Sequence, residues 1–329
     1  MEFEDGAELC FPQLLNTSCK KPTSPWPEAV ILQTLLSTIS LLTVALNLLV
    51  IISVSHFRQL HTPTNILLLS LAVSDFLVGL LLMPGELIRK TSCWFFGDIM
   101  CSLYKYLSFI ITFASVGVMV LISVDRYVAI CDPLHYTTRI TLNRVKLCVS
   151  LCWLCSICYS SVFKKDDLTQ PGRFNSCYGE CLSAIGYIAG TVDLVLNFLV
   201  PVTIIIVLYV RVFAVAVSQA SAMRSHITAV TLQLSVAQTA NKSELKAARA
   251  LGVLVVVFLM CFCPLYCDMV IGENLSNASY TLFVLYLFYF NSCLNPVIYA
   301  FFYSWFRKAV KLIVTLQILQ PGSREANVL

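Results

Sequence analysis

The sequence Val124-Asp125-Arg126-Tyr127-Val128-Ala129-Ile130 ends an apolar segment, residues 107–124, and decides how the chain is interpreted. Charged side chains at the boundary of a bilayer are costly unless they reach water or a partner. An isolated Asp-Arg-Tyr also occurs by chance in soluble proteins. It is informative here because it closes the third of several apolar segments of similar length.

The composition is that of a membrane protein. Of the 329 residues, 58% are hydrophobic and 12% are charged, and the mean hydropathy is +0.81, whereas about a quarter of the residues in a soluble domain are charged. Apolar runs of roughly 18 residues or more indicate membrane-spanning helices. Seven such runs lie at residues 29–54, 64–88, 101–126, 144–163, 184–212, 248–272 and 279–303. The sequence therefore predicts an all-α membrane protein, with a tail at 1–28, a seven-transmembrane helix bundle at 29–303, and a short amphipathic eighth helix and tail at 304–329.

The distribution of Lys and Arg predicts the orientation of the bundle. One set of loop faces carries more of these residues than the other, and the richer set belongs in the cytoplasm. The N-terminus is then outside and the C-terminus inside. Glycosylation sequons at Asn16, Asn274 and Asn277 fall on the predicted outer side, which agrees. The net charge of +4 reflects this topology and not a nucleic-acid surface.

Several cysteines lie on the predicted outer side, where disulfides persist. We favour a bridge between Cys101 and Cys181. Cys177 then reaches the N-terminal tail through Cys19 or Cys10; spacing alone does not choose between them, and Cys19–Cys177 is the pair we predict. Most other cysteines lie in apolar runs and are interpreted as small hydrophobic residues.

Asp75 lies in the middle of the second apolar run, where a carboxylate costs several kcal/mol unless it is paired, protonated or bound to a cation. Polar residues at matching predicted depth are Asn47, Ser115, Asn291, Ser292 and Asn295. Hard cations take oxygen ligands, so we predict a sodium ion held by Asp75, Ser115, Asn291 and Asn295. The alternative is a protonated, hydrogen-bonded Asp75.

An ordered set of residues resembles the rhodopsin-like (class A) G-protein-coupled receptors over nearly the whole chain. The set comprises Asn47, Leu71-Ala72-x-x-Asp75, Cys101, Asp125-Arg126-Tyr127, Trp153, Pro201, Tyr209, Pro264 and Asn295-Pro296-x-x-Tyr299. A finer match resembles the trace-amine-associated receptors, most of which are olfactory receptors for amines. It lies in Cys93-Trp94-Phe95-Phe96-Gly97-Asp98, Cys131-Asp132-Pro133-Leu134-x-Tyr136 and Asn291-Ser292-x-x-Asn295-Pro296-x-x-Tyr299-Ala300-Phe301-Phe302-Tyr303-x-Trp305-Phe306. The resemblance implies a plasma-membrane receptor, not an enzyme, that acts on a stimulatory heterotrimeric G protein.

The resemblance also implies a two-state switch. Arg126 pairs with Asp125 and Glu244 in the inactive state. Agonist binding lets helix six swing at Pro264, and Tyr209 and Tyr299 then stabilise the released arginine. Tyr127, Asn295 and Pro296 complete the set of switch residues. Physically, this requires only that the ligand bind one state better than the other; a purely structural Arg126–Glu244 pair is the alternative.

The sequence departs from the aminergic pattern where the ligand amine is expected to bind. Ser108 occupies the position, seven residues after Cys101, at which aminergic relatives carry an Asp. Asp193, eight residues before Pro201, compensates, as in a divergent branch of the family. No Lys or Arg neighbour is evident for this buried Asp, so a cationic ligand is its natural partner. A hydrogen bond from Ser or Thr to Asp193 is the alternative.

Aromatic residues and a second acid complete the predicted ligand site. The pocket set is Asp193, Ser108, Phe109, Thr112, Phe262, Tyr266, Tyr286, Tyr289 and Asp268. Asp268, with Glu180 in the loop above, would suit a diamine. Phe262 replaces the Trp usual in the Cys-x-x-Pro segment. No cysteine follows Cys293, so the usual palmitoyl anchor is absent, and Trp305, Phe306, Arg307 and Lys308 alone would attach the last helix to lipid.

Other functions are weighed against this one. A light receptor of the same fold needs a Lys where Tyr289 lies, and the seventh run contains none, which excludes an opsin. Transporters usually show paired internal repeats with broken helices, and we find no repeats. A receptor of the same fold for a non-amine ligand stays open because of Ser108, although Asp193 argues against it.

Overall fold

The structure is a computed structural model that describes residues 8–14, 16–21, 28–182, 186–226, 252–268 and 278–328. Its bundle helices are α1 (Glu28–His56), α2 (Pro63–Thr91), α3 (Gly97–Cys131), α4 (Leu142–Phe163), α5 (from Tyr187 to His226), α6 (Gly252–Asp268) and α7 (Ala278–Phe302). Within the described part of the chain, six are long and apolar enough to cross a membrane, and α6 is shorter and apolar. Each predicted run coincides with one helix, so the predicted seven-helix architecture is confirmed.

Local chemistry fixes where the helices begin. Thr62 is extended, its Oγ1 accepts from the Asn65 N–H at 3.3 Å, and Pro63 occupies the first turn of α2, where a missing N–H costs nothing. Thr141 caps α4 in the same way through the Arg144 N–H.

Two helices contain a wide, π-type turn shortly before or next to a proline. In α2 the turn is Val78–Leu82, followed by Pro84. A proline cannot donate to the carbonyl five residues back, and the Ser40 hydroxyl supplies that bond to Gly79 O at 2.7 Å. In α5 the turn is Leu194–Leu199, just before Pro201. Such turns are tolerated in membrane helices where neighbours satisfy the freed groups.

The interior is packed and the perimeter is apolar. Fully buried Val50, Leu71 and Val118 from three helices join one core. Large apolar side chains such as Leu41 and Phe213, each 71% exposed, cover the outside. A bundle that lies in hydrocarbon needs this second feature, since its surroundings are as apolar as its core.

Three disulfides among the described residues cross-link one end of the bundle, which we call the outer end in keeping with the predicted orientation, and two of them tie the N-terminal tail to it. Two are the expected pairs, Cys101–Cys181 and Cys19–Cys177; the third, Cys10–Cys93, was not predicted. Backbone bonds such as Cys19 N to Tyr178 O, 2.9 Å, hold the tail on the loop between α4 and α5. Asn16 is exposed there, whereas Asn274 and Asn277 lie outside the described residues.

The opposite, inner end carries the predicted eighth helix, α8 (Ser304–Val314). Arg307 donates to Ala300 O at 2.8 Å and to Phe301 O at 3.1 Å, which satisfies the last carbonyls of α7. The expectation that Trp305 and Phe306 attach this helix to lipid is wrong: they are 7% and 2% exposed and belong to the protein core. The chain then folds back, and Val328 is fully buried against the same core.

Candidate functional site

Asp193 lies inside the bundle, as the sequence predicts for an acid that meets a ligand. It is the last residue before the wide turn of α5 and is 5% exposed. The Tyr159 hydroxyl donates to Oδ1 at 3.1 Å and the Asn197 amide donates to the same oxygen at 2.6 Å. Both donors are neutral, so they orient the carboxylate without cancelling its charge. Neither was predicted, although Asn197 follows Asp193 by one helical turn.

A row of aromatic rings lies beside this carboxylate. Tyr159 stacks on Phe113 at 4.6 Å and on Phe163 at 4.8 Å between ring centroids, and Phe163 stacks on Phe109 at 5.9 Å. Phe109 was predicted to line the pocket; the other three rings were missed. The spacing of Tyr159 and Phe163, four residues apart on the fourth run, was the available signal.

The expectation that Asp193 has no Lys or Arg neighbour is wrong. The ammonium of Lys164 lies 4.3 Å from the Phe109 ring centroid and within electrostatic reach of Asp193. Its salt bridge, at 3.3 Å, goes to Asp167, and Lys105 reaches the same Asp167 at 3.6 Å. Both lysines lie next to the predicted outer end of an apolar run, where a lysine is usually solvated. Instead, their side chains are 2% and 9% exposed.

A second polar cluster lies across the outer end, on α2, α3 and α7. Glu86 is 3% exposed, forms an ion pair with Arg89, and accepts from the Tyr104 hydroxyl at 3.1 Å. The predicted pocket residues Tyr286 and Tyr289 both lie within electrostatic reach of this ion pair. Sequence reasoning missed the pair because an acid and a base three residues apart near a helix end are usually solvated.

The remaining predicted pocket residues occupy different depths. The Ser108 hydroxyl donates to Lys105 O at 2.7 Å, and Thr112 is half-buried one turn deeper. Phe262 is packed in the core between Phe258 and Phe288, at 4.1 and 4.5 Å. The other two lie on the outer half of α6: Tyr266 stacks on Phe198 at 4.4 Å and is within electrostatic reach of Asp193, and Asp268 is half-buried.

Deeper in the bundle, the predicted sodium ligands carry buried oxygens that accept no hydrogen bond. Asp75 is fully buried, and Asn295 donates to its Oδ2 at 2.7 Å. At this depth, the Oδ1 atoms of four described side chains are buried without a hydrogen-bond donor: Asn47, Asp75, Asn291 and Asn295. Ser115 is 6% exposed. A set of carboxylate and amide oxygens is the chemistry that a small hard cation requires, so these residues fit such an ion.

At the inner end, Arg126 is locked onto its neighbour. Its Nε donates to Asp125 Oδ2 at 2.9 Å, and Asp125 also accepts from Thr64 at 3.0 Å and from the Tyr136 hydroxyl at 2.9 Å. Tyr136 belongs to a short loop helix, Pro133–Arg139. Burial raises the pKa of Tyr136, so its hydroxyl keeps the proton that it donates.

The other predicted switch residues were expected to act together with this Arg126–Asp125 pair, which we call the lock. Among the described residues, the hydroxyls of Tyr209 and Tyr299 are buried without a hydrogen-bond partner, which leaves them able to meet a displaced guanidinium. Pro264 and Pro296 lie inside α6 and α7, and Tyr127 is half-buried. Glu244 lies outside the described residues.

Comparison with known proteins agrees with this architecture. The family model described as "7 transmembrane receptor (rhodopsin family)" matches residues 46–299, which defines the class as a G-protein-coupled receptor. The chain is 36% identical to trace amine-associated receptor 13c of Danio rerio over 98% of this chain and 96% of that one. It is 38% identical to trace amine-associated receptor 9 and 37% identical to receptor 7d, both of Mus musculus, over 98% of this chain and 95% and 92% of theirs.

The chain therefore belongs to the trace amine-associated receptors of the rhodopsin family. It is a multi-pass receptor of the plasma membrane whose partners are a ligand and a heterotrimeric G protein, and it is not an enzyme.

Proposed function

We propose that this receptor detects small amines, that Asp193 holds the ligand cation in place of the usual acid on α3, and that the signal passes to a stimulatory G protein and raises cyclic AMP. The N-terminus would lie outside, where an olfactory receptor meets its ligand. The observation that carries the proposal is the environment of Asp193. This carboxylate is 5% exposed and its hydrogen bonds come from two neutral donors.

The charge of Asp193 supports a cationic ligand. A buried carboxylate is stable only when something offsets its desolvation. Tyr159 and Asn197 both bind Oδ1, so Oδ2 is the oxygen that a ligand ammonium would meet. Lys164 is bonded to Asp167 at 3.3 Å, which leaves Asp193 its acceptor role. Ser108, whose hydroxyl is bonded within α3, supplies no competing charge.

The test is Asp193→Asn, read as cyclic-AMP responses to a panel of amines in cells with surface expression measured in parallel. We expect amine potency to fall by roughly a hundredfold or more, because the substitution removes a charge-assisted hydrogen bond from a buried site. The matched control is Asp98→Asn, the same change at an exposed position of the outer end. Normal potency in Asp193→Asn, with Asp98→Asn also normal, would refute the anchor assignment.

Asp268 supports a refinement in which a second ligand cation is bound. It is half-buried at the outer end of α6, whereas Glu180 is already occupied by the Ser176 N–H and hydroxyl, at 3.0 and 2.7 Å. Asp268→Asn would then weaken long diamines far more than monoamines, and equal losses would remove the refinement.

The residues around Arg126 support an activation switch, and those around Asp75 support an ion site. Arg126 would leave Asp125 when α6 pivots at Pro264, and the unpaired hydroxyls of Tyr209 and Tyr299 would receive it. A sodium ion would be held by Asp75, Ser115, Asn291 and Asn295, with Asp75 supplying the charge. Replacing Na⁺ by N-methylglucamine should then shift agonist potency in the wild type and not in Asp75→Asn. A potency independent of sodium would favour a protonated Asp75.

A further inference from the structure

The outer end contains an unusual group of buried charges. The side chains of Lys105 and Lys164 share one carboxylate, Asp167, at 3.6 and 3.3 Å. All three side chains are at most 9% exposed. Lysine ammonium groups are strongly hydrated and are almost never buried in this way unless paired. Here two of them are paired with one acid.

This group is joined to Asp193 by the row of aromatic rings. The Lys164 ammonium lies 4.3 Å from the Phe109 centroid, and Phe109, Phe163 and Tyr159 stack in turn. Tyr159 ends the row with its hydroxyl on Asp193 at 3.1 Å. A positive group and a negative group therefore border one apolar surface, within electrostatic reach of each other.

A cavity of about 330 Å³ opens beside this surface. Its lining includes Phe163, Lys164, Asp167 and Ala189, and the exposed side chains of Asp166 and Arg173 add one charge of each sign. Ala189 precedes Asp193 by four residues on α5, so both lie on the same face of the helix, with Asp193 one turn deeper. Cavities of a few hundred Å³ are the usual size for small-molecule sites. The cavity provides access to the lysine end of the surface, and its Ala189 wall on α5 lies one helical turn outside Asp193.

The charges of the four side chains decide which ligand is favoured. Lys105 and Lys164 are positive and Asp167 and Asp193 are negative, so the group is neutral as a whole. A simple ammonium ligand would leave one uncompensated positive charge in a poorly hydrated place. A ligand that brings an anionic group with its amine leaves the site neutral, and each of its charges meets an opposite one.

We propose that the preferred ligands are zwitterionic: the ammonium binds Asp193, and a carboxylate on the same small molecule binds Lys164, as in an α-amino acid. This inference rests on the proposed amine function and adds the anionic group. Lys164 becomes a residue that determines specificity between amino acids and the corresponding amines.

The experiment compares leucine with 3-methylbutylamine, and phenylalanine with 2-phenylethylamine, in cells that express wild-type receptor, Lys164→Met, Lys164→Arg or Asp193→Asn. In the wild type we expect the potency of the amino acid to exceed that of its amine by roughly tenfold or more, which is the ratio expected for one charge-assisted hydrogen bond. Lys164→Met should lower the potency of the amino acid by a similar factor, because its carboxylate loses a partner. The same substitution should raise the potency of the amine, because it removes a positive charge that repels the ligand ammonium. Lys164→Arg should keep the wild-type order.

The two opposite shifts separate specificity from expression, since a loss of folded receptor weakens both ligands together. The matched control is Lys165→Met, which removes an exposed charge from the next residue and should change neither ligand. A wild-type receptor that prefers the amine, or a Lys164→Met receptor with an unchanged ratio, overturns the inference. The proposed function survives either result as long as Asp193→Asn abolishes the amine response; a normal Asp193→Asn receptor refutes both.

Discussion

Replacing Tyr136 by Phe should raise the basal activity of the receptor. The Tyr136 hydroxyl donates to Asp125 Oδ1 at 2.9 Å in the state where Asp125 holds Arg126. A hydrogen bond to a charged group contributes about 1.5–3 kcal/mol, and partial exposure of this loop residue reduces that toward the lower limit. Since about 1.4 kcal/mol changes an equilibrium tenfold, the population with Arg126 released should increase by roughly one order of magnitude.

The measurement is ligand-independent G-protein activation, divided by the number of receptors at the cell surface. Because burial raises the pKa of Tyr136, the phenol is a donor at every physiological pH, and the increase should not depend on pH. Thr138→Val is the matched control: it removes a hydroxyl from the same short helix, but that hydroxyl bonds His135 O at 2.9 Å, away from the lock. An unchanged or lower basal activity in Tyr136→Phe, with the control unchanged, would show that this hydrogen bond does not hold the inactive state.

Two further predictions concern stability. Cys10→Ser opens the bridge to Cys93 that ties the tail to the loop between α2 and α3. It should lower the thermal unfolding temperature of purified receptor by an amount equivalent to about 2–4 kcal/mol. Cys148→Ser, which removes an exposed free thiol, is the control, and equal unfolding temperatures of the two variants would contradict the prediction. Val328→Asp places a charge at a fully buried position and should lower the free energy of unfolding by several kcal/mol. Leu319→Asp, at a site 78% exposed, is the control and should lower it by nothing measurable; equal effects would show that Val328 does not pack against the core.

The architecture could be predicted because each part of it is a local property of the chain. A run of apolar residues long enough to cross a bilayer must form a helix, since hydrocarbon offers no partner for free backbone groups. Thr62 and Pro63 mark the start of α2 by their own chemistry. The depths of Asp75 and Asp193 within their helices follow from counting along the sequence in the same way.

The partners of these acids could not be predicted, because they come from other helices. Tyr159 reaches Asp193 across the α4–α5 interface, and its spacing from Phe163 indicates a shared helix face but not which helix that face meets. The wide turn before Pro201 adds a residue to one turn, which changes the face that every following side chain occupies. Val328 was missed for a related reason: a single apolar residue beyond the last helix carries no periodic signal.

The error about Lys164 has a physical origin that bears on ligand class. Positive-inside reasoning treats each Lys or Arg as a charge in water at the end of a helix. That assumption holds for Lys165, which is exposed, and fails for its neighbour, which the turn after α4 directs inward to Asp167 and Phe109. Once inside, a charge acts on every other buried charge, because the surroundings screen it weakly. The ligand is then selected by the sum of the buried charges and not by Asp193 alone, so an amine accompanied by an anion is favoured where a single acid would favour the amine by itself.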